Sequence, residues 1–321
     1  MTAILRIVTL CAAMLACGSA LAEQYPNKPV KIIIPFAPAG QTDNAGRLIA
    51  QKLSERLGQQ FYIENQAGAG GNLGMGTAAK APGDGYTILL ASSSIVVNPS
   101  LYNKVPFDIE KDFIPVTKAG GSPNSWVVHP DFPAKTMKEL IDLIRREPGK
   151  YSVGSPGAGT TPSLSIEMLK QALKLDFVTV PFGGGGPLTQ SVLGGYTPIV
   201  CGALGNYTNL IKEGKLRALA VTAKKRSVAL PDIPTLEEFG IKGQEGETMT
   251  GVFVPAGTPQ DIVDLLQREI AAIVRLPDVK DKLIAIGVEP EGDSPAEFQA
   301  YIKAEVAKWR KVIEDGHINK I

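Results

Sequence analysis

Three loops of the chain share a composition that suits anion capture without charge. In VKIIIPFAPAGQTD a β-branched run ends at Pro35-Phe36 and gives way to Ala39-Gly40-Gln41. The next stretch sets Ala45, Leu48, Ile49, Leu53 and Leu57 on one helical face, with Thr42 or Asp43 as the expected cap. A helix start presents unpaired N–H groups and a partial positive charge, so it can hold a carboxylate or phosphate with no lysine or arginine nearby. An ordinary capped strand-to-helix turn would use the same residues.

The construction recurs. In YSVGSPGAGTTPSL a strand leads into Ser155–Thr161, with Thr161 as expected cap and Pro162 at the first helical position. In FVTVPFGGGGPLTQ four consecutive glycines precede a helix expected at Pro187. Four glycines cost chain entropy, and the excess over a tight turn points to close backbone approach by a ligand or by another part of the chain. Ser92-Ser93-Ser94 would add hydroxyls at the same edge. Phe36 and Phe182, at two strand ends, would supply apolar walls, although each alone also suits a core position.

Catalytic motifs are weak by comparison. Gly74-Met75-Gly76-Thr77-Ala78-Ala79 matches G-x-G-x-x-A, but it starts ten residues after the run Phe61–Glu64, and no acidic residue closes a strand at the required spacing. No Walker loop and no G-x-S-x-G elbow occur. The two histidines, His129 before a proline and His317 near the C-terminus, are poor candidates for a triad or a metal site. No cofactor, no metal and no catalytic residue is expected. With 33 basic against 32 acidic residues, the chain lacks the positive excess of a nucleic-acid binder.

Residues 1–22 read as a secretory signal peptide. Arg6 is followed by the apolar run Ile7–Ala16, and Ala20-Leu21-Ala22 gives a small-x-small cleavage site before Glu23. A short membrane anchor and a lipoprotein signal using Cys17 are the weaker alternatives. Cleavage leaves Cys201 as the one remaining cysteine of the three, so no internal disulfide forms. Its apolar setting suits a small buried side chain rather than a reactive thiol.

Short β-branched runs alternate with helical patterns up to Val254, and the last quarter is helical. That alternation predicts an α/β fold with mixed, mainly parallel sheets, and ligands of such sheets bind beyond the carboxyl ends of the strands. Turn-rich Lys118–Ser125 and Gly240–Glu247 read as boundaries. They give a first lobe from 23–122 and 243–321 and a second from 123–242, with the chain crossing twice. Loops 38–43 and 155–161 would then face each other across a cleft.

Taken in order, YPNKPVKIIIPFAPAGQTD, ENQAGAGGNLG, KAPGDGYTILLASSS, GKYSVGSPGAGTTPSL, VPFGGGGPLTQSVLGG and GKLRALAVTAKKRSVALPDIPTLEEFG resemble the Bug-type extracytoplasmic receptors of tripartite tricarboxylate transporters across the whole mature chain. The resemblance implies a two-lobed, type II-like periplasmic binding protein with a two-strand hinge. Such a protein holds a small organic carboxylate, with one or two acid groups, and hands it to a membrane permease. It implies ligand contacts at Phe36, Ala39, Gly40, Gln41, Asp43, Ser93, Ser155, Thr160, Thr161, Phe182 and Gly183. Where the family usually has two glycines this chain has Ala39-Gly40, Ser163 stands at a common histidine position, and Cys201-Gly202-Ala203 replaces bulkier residues. Small side chains there leave room for a larger acid, including an aromatic one. Nothing specifies an oligomer, so a monomer is expected. An exported enzyme acting on small acids, or a sensor partner of a two-component system, are the competing readings.

Overall fold

Every β-branched run identified in the sequence forms a strand. The computed structural model describes residues 25–321; the expected signal peptide, 1–22, lies outside the described residues. The strands are β1 (Val30–Ile34), β2 (Phe61–Asn65), β3 (Thr87–Ala91), β4 (Phe113–Val128), β5 (Ser152–Ser155), β6 (Val178–Pro181), β7 (Ile199–Ala203), β8 (Arg217–Val221), β9 (Glu247–Pro255) and β10 (Glu289–Pro290). The helices are α1 (Gln41–Leu57), α2 (Asn72–Ala79), α3 (Ser94–Leu101), α4 (Met137–Arg146), α5 (Thr161–Ala172), α6 (Gly185–Leu193), α7 (Thr208–Lys212), α8 (Gln260–Arg275), α9 (Pro277–Ala285) and α10 (Pro295–Asp315).

The strands follow the order β2-β1-β3-β9-β4-β7-β5-β6, with β8 and β10 also paired to β4. The sheet is mixed. Between named strands, parallel pairing is confined to β1 with β2 and β3, and to β5 with β6 and β7; one isolated parallel bridge joins Val221 to Thr235. Every pairing made by β4 or β9 is antiparallel.

Strand β4 is where the sequence reading fails locally. Lys118–Ser125 (KAGGSPNS) reads as a turn-rich boundary, yet it lies inside a strand of 16 residues. Partners on both sides override its local preference. Phe113–Pro123 pairs with β9, and Asn124–Val128 pairs with β7 and β8. The strand therefore changes partners between Pro123 and Asn124, joining two groups of strands. The returning chain runs alongside: the Asn124 amide donates to the Gly246 carbonyl at 3.2 Å, and the Gly246 amide to the Thr222 carbonyl at 3.0 Å. Two adjacent strands thus connect two lobes.

Each lobe has its own cores. In the first, Ile32, Ile34 and Leu90 pack under α1 and α8, while Ile33, Leu89 and Phe253 face α2, α3 and α10 with Trp309. Ala45, Ile49 and Leu53 of α1 are buried as their spacing predicts, with Leu48 and Leu57 partly covered. In the second lobe Trp126, Val153, Leu169 and Cys201 share one core, and burial pushes the Cys201 thiol pKa up. Each buried side chain of this size is worth about 1.5–3 kcal/mol.

A charged cluster sits beside the crossing. Lys118 is almost fully buried, with its ammonium 2.5 Å from Glu247 Oε1, 2.8 Å from Glu291 Oε1 and 4.3 Å from the Tyr301 ring centre. Burial alone would lower its pKa; the two carboxylates outweigh this, and the net shift is upward. Removing the ammonium leaves two half-buried carboxylates facing each other. Lys118→Met is expected to cost about 2 kcal/mol of stability in urea unfolding. An unchanged midpoint would show that the cluster contributes nothing.

Candidate functional site

Helix α1 starts at Gln41, two residues earlier than the sequence predicts, and neither Thr42 nor Asp43 caps it. Gly40 is the cap residue and offers no side chain. The Gln41 amide instead donates to Asn206 Oδ1 at 2.6 Å. The first amide bonded within the helix is that of Asn44, to the Gly40 carbonyl. The amides of Thr42 and Asp43 therefore have no acceptor among the described residues.

Asp43 does a different job. Its carboxylate accepts from the Ala39 amide (3.0 Å), Arg47 Nε (2.8 Å) and Nη2 (3.0 Å), and Asn65 Nδ2 (2.9 Å). Burial pushes its pKa up, but the Arg47, Ala39 and Asn65 hydrogen bonds prevail and hold it below the ordinary carboxylate value. The clamp fixes Ala39 at φ 65°, a left-handed conformation that costs a side-chain-bearing residue about 1 kcal/mol. The loop is thus held in a strained shape by a carboxylate whose charge Arg47 balances.

Helix α5 begins at Thr161, one residue before the expected position, with Thr160 as its cap. Thr160 Oγ1 donates to the Gly157 carbonyl (2.7 Å) and accepts from the Ser163 amide (3.4 Å). Pro162 has no N–H, and the Thr161 amide meets no acceptor among the described residues. Thr161 Oγ1 donates to the Glu247 carbonyl at 2.9 Å and lies 3.3 Å from Thr248 Oγ1.

These two helix starts line one narrow cavity, with about 40 Å³ of room for water-sized occupants. Of the residues named from the resemblance, Phe36, Gly40, Gln41, Asp43, Thr160 and Thr161 border it. The remaining expected contacts do not. Ala39 shapes the loop through its amide. Ser93 caps α3 and is stitched to β9, donating to the Glu247 carbonyl (3.0 Å) and accepting from the Met249 amide (2.9 Å). Its neighbour Ser92 borders the cavity instead. Ser155 lines a separate cavity beside His317 and Ile321, because strand alternation turns it from the face that Pro156 presents. Phe182 and Gly183 border an adjoining cavity, which shares Phe36 and Pro156 with the first.

Asn206 and Thr248 border the cavity unannounced by the sequence reading. Asn206 follows β7 at its carboxyl end, so the rule that found the other loops would have reached it. Thr248 lies within β9, where nothing local marks it. The four-glycine run, expected to permit close approach, brings the lobes together. The Ala37 amide points to the Gly183 carbonyl at 3.4 Å, and a Cβ on Gly186 would fall on the Pro38 carbonyl oxygen. The G-x-G-x-x-A match lies within α2 and forms no strand-to-helix turn. Ser163, at the common histidine position, does not border the cavity.

No unbalanced charge lines this site. It offers amides at two helix starts, hydroxyls from Thr42, Ser92, Thr161 and Thr248, and a buried Gln41 Oε1 that meets no donor among the described residues. Two lobes on paired crossing strands, with an anion-suited cavity between their helix starts, define the periplasmic binding protein class. Residues 45–318 match the family described as the tripartite tricarboxylate transporter family receptor. The chain is similar to BugT of Bordetella pertussis, 31% identical over 296 residues and spanning 92% of this chain and 91% of BugT. It is similar in structure to R. palustris Rpa4515, solved with adipate (34% identity, TM-score 0.89, covering 93% of this chain and 100% of that one). MatC from Rhodopseudomonas palustris, with bound malate, shares 31% identity at a TM-score of 0.85, over 90% of this chain and 100% of its own. The chain belongs to the tripartite tricarboxylate transporter receptor family. No helix among the described residues is long and apolar enough to cross a membrane.

Asp43 lends itself to a direct test. Asp43→Ala removes the clamp on Ala39 and leaves Arg47 unpaired, with an expected loss of about 1–2 kcal/mol in unfolding free energy. In the wild type the folded-state pKa lies below the unfolded one. The stabilisation is then present above the unfolded value, about 4, and is lost as pH falls through the folded value. Melting temperature should therefore drop less steeply between pH 6 and 3 in Asp43→Ala than in wild type. Parallel pH profiles would remove Asp43 from that role.

Proposed function

We propose that this protein captures a small organic carboxylate, with one or two acid groups, between its lobes and delivers it to the permease of a tripartite tricarboxylate-type transporter. The observation that carries this reading is the meeting of two helix starts, with unpaired amides at Thr42, Asp43 and Thr161, around one cavity. Each helix start contributes roughly half a positive charge, enough to hold a carboxylate whose remaining lone pairs go to hydroxyls and water. Adipate and malate in the related structures support the ligand class. The protein is exported through its first 22 residues, acts as a monomer and performs no catalysis.

Lobe 1 comprises 23–122 with 243–321, and lobe 2 comprises 123–242. The change of partners along β4 at Pro123 supports these limits. The lobes hinge at the two crossing strands, and a ligand touching both shifts the population toward the closed form by its extra contacts there.

A thermal-shift screen with aliphatic and aromatic acids, on protein unfolded and refolded to strip trapped ligand, is expected to raise the melting temperature by mass action. Absence of a shift with every acid would overturn the reading. Gly186→Ala tests closure separately. The added methyl favours helix α6 by up to about 1 kcal/mol yet meets Pro38 when the lobes touch, so affinity should fall while the ligand-free melting temperature does not. Unchanged affinity would show that the observed contact is not needed for capture.

A further inference from the structure

We propose that the back of the hinge carries an electrostatic latch, in which a basic loop of the second lobe pairs with an acidic wall of the first and holds the ligand-free cleft open. This deepens the receptor reading above and rests on its hinge.

Strand alternation gives the two crossing strands two distinct faces. On β9, Thr248 borders the cavity between the helix starts, while its neighbour Glu247 borders a groove on the opposite face. On β4, Ser122 accepts from the Gly205 amide (3.1 Å) and Asn124 from the Thr248 hydroxyl (3.0 Å), both toward the ligand side. Gly121 and Pro123, alternating with them, line the groove. The crossing is therefore a pivot with a cleft on each side. In front, the lobes touch and leave about 40 Å³; behind, the groove holds about 600 Å³. A rotation that opens the front must narrow the back.

The two walls of the groove carry opposite charge. On the second lobe a loop leaves the crossing at Thr222, whose hydroxyl donates to the Gly246 carbonyl (2.6 Å). Arg226 stiffens this loop, donating to Glu238 Oε1 (2.9 Å) and to the Pro231 carbonyl (3.1 Å). Lys224 and Lys225 stand exposed on it, bordering the groove, with no ion-pair partner among the described residues. On the first lobe the single charge of Lys118 is shared by Glu247 and Glu291, and Lys308 pairs with Glu305 at 3.0 Å. Glu245 and Glu289 border the same groove and pair with no cation among the described residues. The first wall is thus left with excess negative charge, facing two free lysines.

As the back narrows, Lys224 and Lys225 approach that wall. The pairs they form are exposed and individually weak, but together they tip an equilibrium between two forms of similar free energy. A ligand must displace them to close the lobes, so its apparent affinity scales with the closed fraction of the free protein.

Small-angle X-ray scattering on refolded, ligand-stripped protein tests this without any ligand. The wild type should exceed the roughly 19 Å radius of gyration of a compact chain of this length. Lys224→Glu combined with Lys225→Glu sets like charges across the groove and should contract the protein toward that value. Adding Glu245→Lys and Glu289→Lys restores opposite charges and should return the wild-type radius. Raising salt from about 0.02 to 0.5 M screens the pairs, and should contract the wild type but not the doubly substituted protein. A radius that does not fall on substitution, or a wild type already compact when stripped, would overturn the latch. Either result would leave carboxylate capture standing, since the thermal-shift screen tests that separately. Swapped charges that fail to restore the radius would show that the lysines do not act through this wall, and would overturn the pairing.

Discussion

The structure depends on one antiparallel pairing, that of β4 with β9. Both strands belong to the first lobe for most of their length, and the second lobe continues from their ends. The start of β9 carries an unusual convergence. The Glu247 carbonyl accepts from Ser93 of the first lobe and from Thr161 of the second, while its side chain holds Lys118 and the Tyr301 hydroxyl. One residue therefore ties the floor of the ligand cavity to the buried charge cluster beside the crossing. Thr248, next along, extends the floor through Asn124 to Ser165. The site is built where the lobes are covalently closest, so small rotations about the crossing move its walls without breaking its base.

That placement explains how a neutral site can hold an anion. Cationic side chains would have to be desolvated on closure, and their burial is expensive unless the partner is always present. Main-chain amides at a helix start are already oriented, have no rotamer freedom to lose and carry no full charge to strand. Asp43 serves this arrangement indirectly. Balanced by Arg47, it holds Ala39 in a left-handed turn, which brings Gly40 and Gln41 into position. Asn206 takes the Gln41 amide and so leaves the next two amides facing the cavity.

Much of this was legible in the residues, and the failures have common causes. Strand and helix periodicity located nearly every element, because a β-branched run or an apolar stripe is a local signal. Helix starts were misjudged by one or two residues at α1 and α5, since Gly40 caps with no side chain and Thr160 reaches back to Gly157. KAGGSPNS reads as a turn-rich boundary because glycine and proline weigh heavily in isolation. Partners on both sides, set by chain segments more than a hundred residues away, decide otherwise. Of the residues named from the resemblance, some border this cavity and others stand one position from residues that do. Ser92 rather than Ser93, and Pro156 rather than Ser155, differ by one step of strand or loop phase, and such phase belongs to packing.

The two tryptophans fall one to each lobe, Trp126 in the second and Trp309 in the first, both wholly buried. Their surroundings differ. The Trp126 indole N–H meets no acceptor among the described residues, whereas that of Trp309 donates to Glu305 Oε2 at 2.8 Å. Neither borders the cavity between the lobes. The molecule therefore carries a separate optical reporter in each half. Its intrinsic emission follows the melting of each lobe, with Trp126 the bluer of the two, and stays largely indifferent to whether the cleft is open or shut.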